Sequence, residues 1–234
     1  MYCQCETAVK GNGREFFAVT LKCRAWTCQD CAPERRNQLI AYAIDGRPNK
    51  FLTLTSRRRE GQSPISAARD LARAWRLVRL RLMRHYKISA LPFLAVFEQT
   101  KLGWPHLHIL LRCRFLEQRL ISQWMNELTG APIVHIVALD DPKKAVNYCA
   151  KYISKDSQKF GTCKRYWSSR DYRIVPIRRK KDRALPAGDW AIHKWPLTRW
   201  IASLESLGFT IERISPTAAY ASLASSVTQA RAGP

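Results

Sequence analysis

The sequence predicts a chain of mixed helices and strands organised around an antiparallel hairpin, and three observations predict it. Phe51-Leu52-Thr53-Leu54-Thr55 alternates with β-branched residues, the mark of a strand. Residues 93–99 and 106–111 are two apolar runs joined by a short turn around Gly103, which reads as a hairpin. Leu71, Trp75, Val78 and Leu82 recur at i, i+4, i+7 and i+11, the stripe of a helix that buries one face.

The remaining elements follow in order. Residues 33–43 read as a short basic helix carrying Arg35 and Arg36, closed by the turn Asp45-Gly46-Arg47-Pro48-Asn49. After the strand at 51–55 comes a basic loop, Arg57-Arg58-Arg59. Ser63-Pro64 supplies an N-cap and a proline at the first helical position, opening the helix whose apolar stripe is flanked by Arg69, Arg73, Arg76, Arg79 and Arg84. Beyond the hairpin, a helix is expected over 116–128 and a strand over 132–139. Asp141-Pro142 then caps a helix running to about Lys155. A further helix at 197–207 and a strand at 209–214 close the regular part. From Ser215 onward Ala and Ser dominate around a single charge, Arg231, and mobility is expected.

Composition narrows the function. Of 234 residues, 40 are Lys or Arg and 18 Asp or Glu, a formal charge of +22, and 46% are hydrophobic, enough for a real core. Such an excess points to a polyanionic partner, nucleic acid foremost, because Lys and Arg that neutralise phosphates release counterions. The run 164–183 holds nine basic and two acidic residues around Tyr166-Trp167 and Tyr172, an interleaving suited to tracking a strand. No apolar run approaches the roughly 18 residues of a membrane span, and the start, MYCQCETAVK, lacks the pattern of a secretory signal, so a cytoplasmic protein with no membrane partner is expected.

Five of the eight cysteines, Cys3, Cys5, Cys23, Cys28 and Cys31, fall within the first 31 residues. Cys28-Gln29-Asp30-Cys31 is the knuckle by which two thiolates grip one Zn²⁺ from a tight turn. The preferred ligand set is Cys5, Cys23, Cys28 and Cys31, with Cys3 as a substitute; a closed thiolate site of this kind would be a scaffold.

In W-P-H-L-H-I-L, His106 and His108 are two apart on a strand, so both imidazoles leave one face while Leu107 and Ile109 leave the other. Glu98 shares that face whether it pairs with His106 or with His108. Two imidazoles and one carboxylate make a three-ligand site for Mg²⁺ or Mn²⁺, the nitrogens favouring Mn²⁺. On the helix ending near Lys155, Tyr148, Lys151, Tyr152 and Lys155 form one stripe about 100° wide, joined by Lys144. Neighbouring ammonium groups favour the phenolate of a tyrosine.

Taken together, FLTLT at 51–55, P-H-L-H at 105–108 and Y-C-A-K-Y-I-S-K at 148–155 resemble, in order and spacing, the three motifs of the HUH endonucleases, and within them the rolling-circle replication initiators of small single-stranded DNA phages and plasmids. The Cys cluster upstream and R-Y-W-S-S-R at 165–170 extend the likeness. The resemblance implies an α+β fold, a central antiparallel sheet flanked by helices in the RRM or ferredoxin-like manner, with an N-terminal zinc module. It implies three segments: 1–48 with the zinc site and basic helix, 49–185 as nuclease, and 186–234 as an extension with a mobile tail. It further implies Glu98, His106 and His108 as ligands of a catalytic Mg²⁺ or Mn²⁺, and Tyr148 and Tyr152 as nucleophiles assisted by Lys151 and Lys155. Origin DNA, single-stranded, would be held by Arg57, Arg58, Arg59, Lys164, Arg165, Tyr166, Trp167 and Arg170, with a host helicase and polymerase as further partners in a bacterial cytoplasm. A transposase or relaxase with the same core is the near alternative, and a zinc-containing, non-catalytic nucleic-acid-binding regulator the distant one.

Overall fold

The computed structural model describes residues 6–139, 141, 159–174 and 184–223. The fold is α+β, with two five-stranded antiparallel sheets and, among the described residues, four helices. The chain divides into two compact units, one of residues 36–177 and one that joins 1–35 to 178–234.

In the unit 36–177 the strands are β3 (Lys50–Thr55), β4 (Phe93–Gln99), β5 (Pro105–Leu111), β6 (Val134–Ala138) and β7 (Tyr166–Ser168), in the spatial order β6-β3-β5-β4-β7. Strand β5, which carries both histidines, is therefore central. Its turn from β4 is closed by Gly103, at φ 82°, whose N–H donates to the Thr100 carbonyl at 2.9 Å. One sheet face presents Leu52, Leu54, Phe93, Ala95, Phe97, Leu107, Ile109 and Leu111 to a single core. Helix α2 (Pro64–His85) covers that face with Leu71, Trp75, Val78 and Leu82, and α3 (Gln118–Thr129) with Ile121 and Met125. Helix α2 starts where expected: Ser63 and Ser66 form a reciprocal capping box ahead of Pro64. Helix α3 ends at Gly130, whose left-handed φ of 65° lets its N–H reach the Asn126 carbonyl at 2.7 Å. The boundary between the units falls inside α1 (Cys31–Asp45), two residues longer at each end than expected.

The second unit corrects the sequence reading. Strands β1 (Glu6–Gly11), β2 (Glu15–Leu21), β8 (Trp190–His193), β9 (Phe209–Ser215) and β10 (Ala218–Leu223) form one sheet in the order β8-β1-β2-β10-β9. The N-terminal module and the C-terminal extension, expected as separate segments, thus share a sheet, and the stretch after Ser215 begins as a strand. The physical reason is packing. Ala219 and Ala221 are fully buried, their small side chains giving α4 (Leu197–Ser206) room to lay Trp200 and Ile201 on Val9 and Ala18. Phe16 meets Trp200 edge-on, ring centroids 6.3 Å apart. A composition that reads as loose chain is here the small-residue floor beneath a helix.

Candidate metal centre

Alternation along β5 sends Leu107 and Ile109 into the core and leaves His106 and His108 on the opposite face. In the β4–β5 ladder Glu98 stands opposite His106. Its carboxylate nevertheless reaches diagonally, placing Oε2 2.5 Å from His108 Nε2. The ligand atoms of Glu98, His106 and His108 all lie within 4.8 Å of one another.

Strand β3 orients the site from the other side. Thr53 pairs with His108 in the β3–β5 ladder, and its Oγ1 lies 3.0 Å from His108 Nδ1. Phe51 stacks its ring on the same imidazole, centroids 5.2 Å apart and planes 23° from parallel. His108 is only 4% exposed, with one ring nitrogen held by a hydroxyl and the other aimed at Glu98. His106 is half-buried and stands nearly perpendicular to it, ring centroids 6.2 Å apart. Burial pushes the His106 pKa down and the neighbouring His108 pushes the same way, while Glu98 opposes both. A lowered pKa keeps the imidazole neutral, the form that ligates metal.

The donor set fits a divalent ion: two imidazole nitrogens and a carboxylate oxygen converge, and the ring of one ligand is fixed by an outer oxygen, the usual support of a ligating histidine. Nitrogen donors favour Mn²⁺ over the oxygen-seeking Mg²⁺.

A second cluster lies in the other unit. Cys23, Cys28 and Cys31 hold their sulfurs within 4.8 Å of one another, Cys23 and Cys31 at 3.7 Å. Cys31 opens α1, and the Cys31 backbone N–H contributes most to drawing the Cys28 thiol down to about 7; burial opposes it, and the Asp30 N–H and the other two thiols add to the lowering. Three converging thiols fit three corners of a tetrahedral zinc site. Cys5 and its substitute Cys3 lie outside the described residues, as do Tyr148, Lys151, Tyr152 and Lys155.

The expected DNA-binding residues are placed unevenly. Arg57 donates to the Gly130 carbonyl at 3.5 Å and Arg59 to the Thr129 carbonyl, so both neutralise the negative end of α3. Arg58 lies over the Trp104 ring, 5.6 Å from its centroid. Trp167 turns its ring to the core and packs on Phe97 at 5.4 Å. The Tyr172 ring of the basic run is wholly buried, its hydroxyl donating to the Ala43 carbonyl at 2.7 Å. Lys164 and Arg170 are exposed, while Arg165 and Tyr166 are half-buried. Tyr166 pairs with Val96 and so shares the histidine face.

Sequence reasoning missed Thr53 and Phe51 as supports of His108, although alternation in FLTLT already put them on one face. It also passed over His135, exposed and paired with Thr53 from the far side, hence on the same face as His108.

An antiparallel sheet with helices α2 and α3 on one face and a two-histidine, one-carboxylate cluster on the other defines a protein with a candidate divalent-metal centre on a sheet face. Residues 49–157, slightly under half the chain, match the model of a family of replication-associated proteins, the ORF2 type. The matched stretch contains β3, β4, β5 and Y-C-A-K-Y-I-S-K, and the match supports a role in replication initiation. No curated protein and no solved structure matches the chain. No helix among the described residues is long and apolar enough to cross a membrane.

Proposed function

We propose that the chain is an HUH-type endonuclease that nicks single-stranded origin DNA and later rejoins it, starting and ending rolling-circle replication. The observation that carries this reading is the convergence of Glu98, His106 and His108 within the stretch that matches a replication-associated family.

A divalent ion held by these three residues would stabilise the charge that develops on the oxygens of the scissile phosphate. Thr53 keeps the His108 ring turned so that Nε2 faces that ion's position. The phenol oxygen of Tyr148 or Tyr152 attacks phosphorus, the phosphorus–O3′ bond breaks, and the released 3′-oxygen takes up a proton to become the hydroxyl that a host polymerase extends. The 5′ side stays on the protein as a phosphotyrosine. Lys151 and Lys155 favour the phenolate and pair with phosphate oxygens. The bond energy stays in the protein–DNA link, so the reverse attack by a 3′-hydroxyl reseals the strand without ATP. A second tyrosine one helical turn away permits a second cut while the first strand is attached. The cysteine cluster, completed by Cys5 or Cys3, would hold a structural Zn²⁺. Lys164 and Arg170 are the exposed members of the basic run available to the DNA, and a host helicase would open the duplex ahead of the nick.

The experiment is denaturing electrophoresis of the protein incubated with labelled oligonucleotides tiled across its own replicon. A denaturation-resistant adduct that forms with Mn²⁺ and not with EDTA is expected. Absence of any adduct on every oligonucleotide, with binding retained, would overturn the reading in favour of a non-catalytic binder.

A further inference from the structure

Helix α2 carries more arginine than its packing uses. Arg79 donates to the Leu91 carbonyl at 3.0 Å, and Arg81 pairs with Glu127 at 2.7 Å, so the arginines on the flanks of the helix tie it to its neighbours. Arg69, Arg73, Arg76 and Arg84 are different. All four are exposed, and their side chains make no hydrogen bond or ion pair among the described residues. At 100° per residue they fall within about 80° of one another, a single ridge on the side of α2 turned away from the sheet. The only acidic residue of α2, Asp70, accepts from Gln62 Nε2 at 2.9 Å.

A solvated helix face ordinarily alternates its signs, because like charges three and four residues apart repel and opposite ones attract. This ridge sets Arg69 beside Arg73 and Arg73 beside Arg76 with no intervening carboxylate. Such a row suits an extended anion. It spans about 22 Å from Arg69 to Arg84, roughly two thirds of a duplex turn. It offers no aromatic ring, since Trp75 is buried in the core and the one apolar residue exposed within the ridge is Leu80. Single-strand binders stack bases on aromatic side chains, whereas a duplex presents only its phosphates to such a row.

We propose that the Arg69–Arg73–Arg76–Arg84 ridge of α2 is a second DNA-binding surface, on the opposite side of the sheet from Glu98, His106 and His108, and that it holds double-stranded DNA by its phosphates. The inference rests on the reading of the chain as an origin-nicking enzyme: the cut strand lies on the histidine face while the uncut duplex beside it is gripped from the back. A duplex held at a fixed place relative to the nick would keep the released 3′ end near the enzyme for rejoining.

The test is fluorescence anisotropy of the full chain with a 25-base-pair duplex across a salt series, comparing wild type with Arg69, Arg73, Arg76 and Arg84 all changed to Gln. A control with the same charge change at exposed Arg14, Arg24, Arg114 and Arg213 separates position from net charge. The ridge variant should bind the duplex at least tenfold more weakly at low salt, and the slope of log K against log salt should fall by about 3 units, near 0.9 for each phosphate no longer neutralised. The control should keep the wild-type slope, four Arg→Lys changes in the ridge should restore binding, and adduct formation on a single-stranded oligonucleotide should be unchanged. Equal duplex binding by wild type and ridge variant would overturn the proposal. A loss confined to single-stranded oligonucleotide, or to phosphatidylserine-containing vesicles, would do the same. The duplex measurement needs no cleavage, so a wild type that forms no adduct yet shows the ridge-dependent slope defeats the nuclease reading and leaves the ridge standing.

Discussion

Glu98 stands opposite His106 in the β4–β5 ladder but gives its carboxylate to His108, Oε2 to Nε2 at 2.5 Å. The diagonal bond leaves His106 to complete the cluster from beside the pair, with its basicity lowered by burial. Divalent-ion binding by this site depends on both imidazoles, whereas DNA affinity draws on many of the 40 basic residues.

Changing His106→Ala or His108→Ala should therefore abolish Mn²⁺-dependent nicking and reduce affinity for the same oligonucleotide less than about threefold, because neither imidazole is a major phosphate contact. Parallel nicking and anisotropy assays check it. Full nicking by the double variant in EDTA would contradict it.

Thr53→Val keeps the shape of the strand and removes the oxygen beside His108 Nδ1. Mn²⁺ affinity measured by calorimetry should fall by about 10- to 100-fold, the usual loss when a ligand's outer partner is removed. Since Thr55 pairs with His106 rather than His108, Thr55→Val should alter Mn²⁺ affinity less than Thr53→Val does.

How much of this was legible follows from how far each partner lies along the chain. The shared face of Glu98, His106 and His108 could be read directly, because alternation gives the same answer in either hairpin register. The diagonal bond could not, since it depends on which register the turn at Gly103 selects. Helix α2 was readable from Ser63-Pro64 and the stripe through Leu82, both local signals. Arg57 and Arg59 read as a DNA-binding loop because their acceptors, the carbonyls of Gly130 and Thr129, are some 70 residues away. The second sheet was invisible for the same reason: β2 pairs with β10, where Ala18 meets Ala219 across 201 positions, and alanines carry almost no strand signal of their own.

The cysteines give a pH-dependent prediction. A thiol reacts as its thiolate, so a lowered pKa makes it reactive at neutral pH and a raised one silences it. In EDTA-treated protein, iodoacetamide should label Cys28 with half-maximal rate near pH 7, while Cys113, pushed by burial to about 11, stays unlabelled up to pH 9. Added Zn²⁺ should protect Cys28, and Cys28→Ser or Cys31→Ser should lose one bound Zn²⁺ per chain. Peptide mass mapping and elemental analysis check these outcomes; wild-type protein containing no zinc contradicts them.

The two tyrosines at i and i+4 should alternate. Tyr148→Phe and Tyr152→Phe should each retain a first nick and fail in the second transfer that closes a circle, because phenylalanine removes only the attacking oxygen. Product analysis on a two-site substrate checks it. One variant fully active through closure, with the other inert, would mean a single nucleophile.

The most direct measurement is mass spectrometry of the protease-digested adduct formed with Mn²⁺ on an oligonucleotide from the chain's own replicon. The account predicts a nucleotide joined through its 5′-phosphate to Tyr148 or Tyr152, absent when EDTA is present and absent in the double Phe variant. A nicked product carrying a free 5′-phosphate with no protein attached, or a nucleotide linked to any other residue, would contradict it.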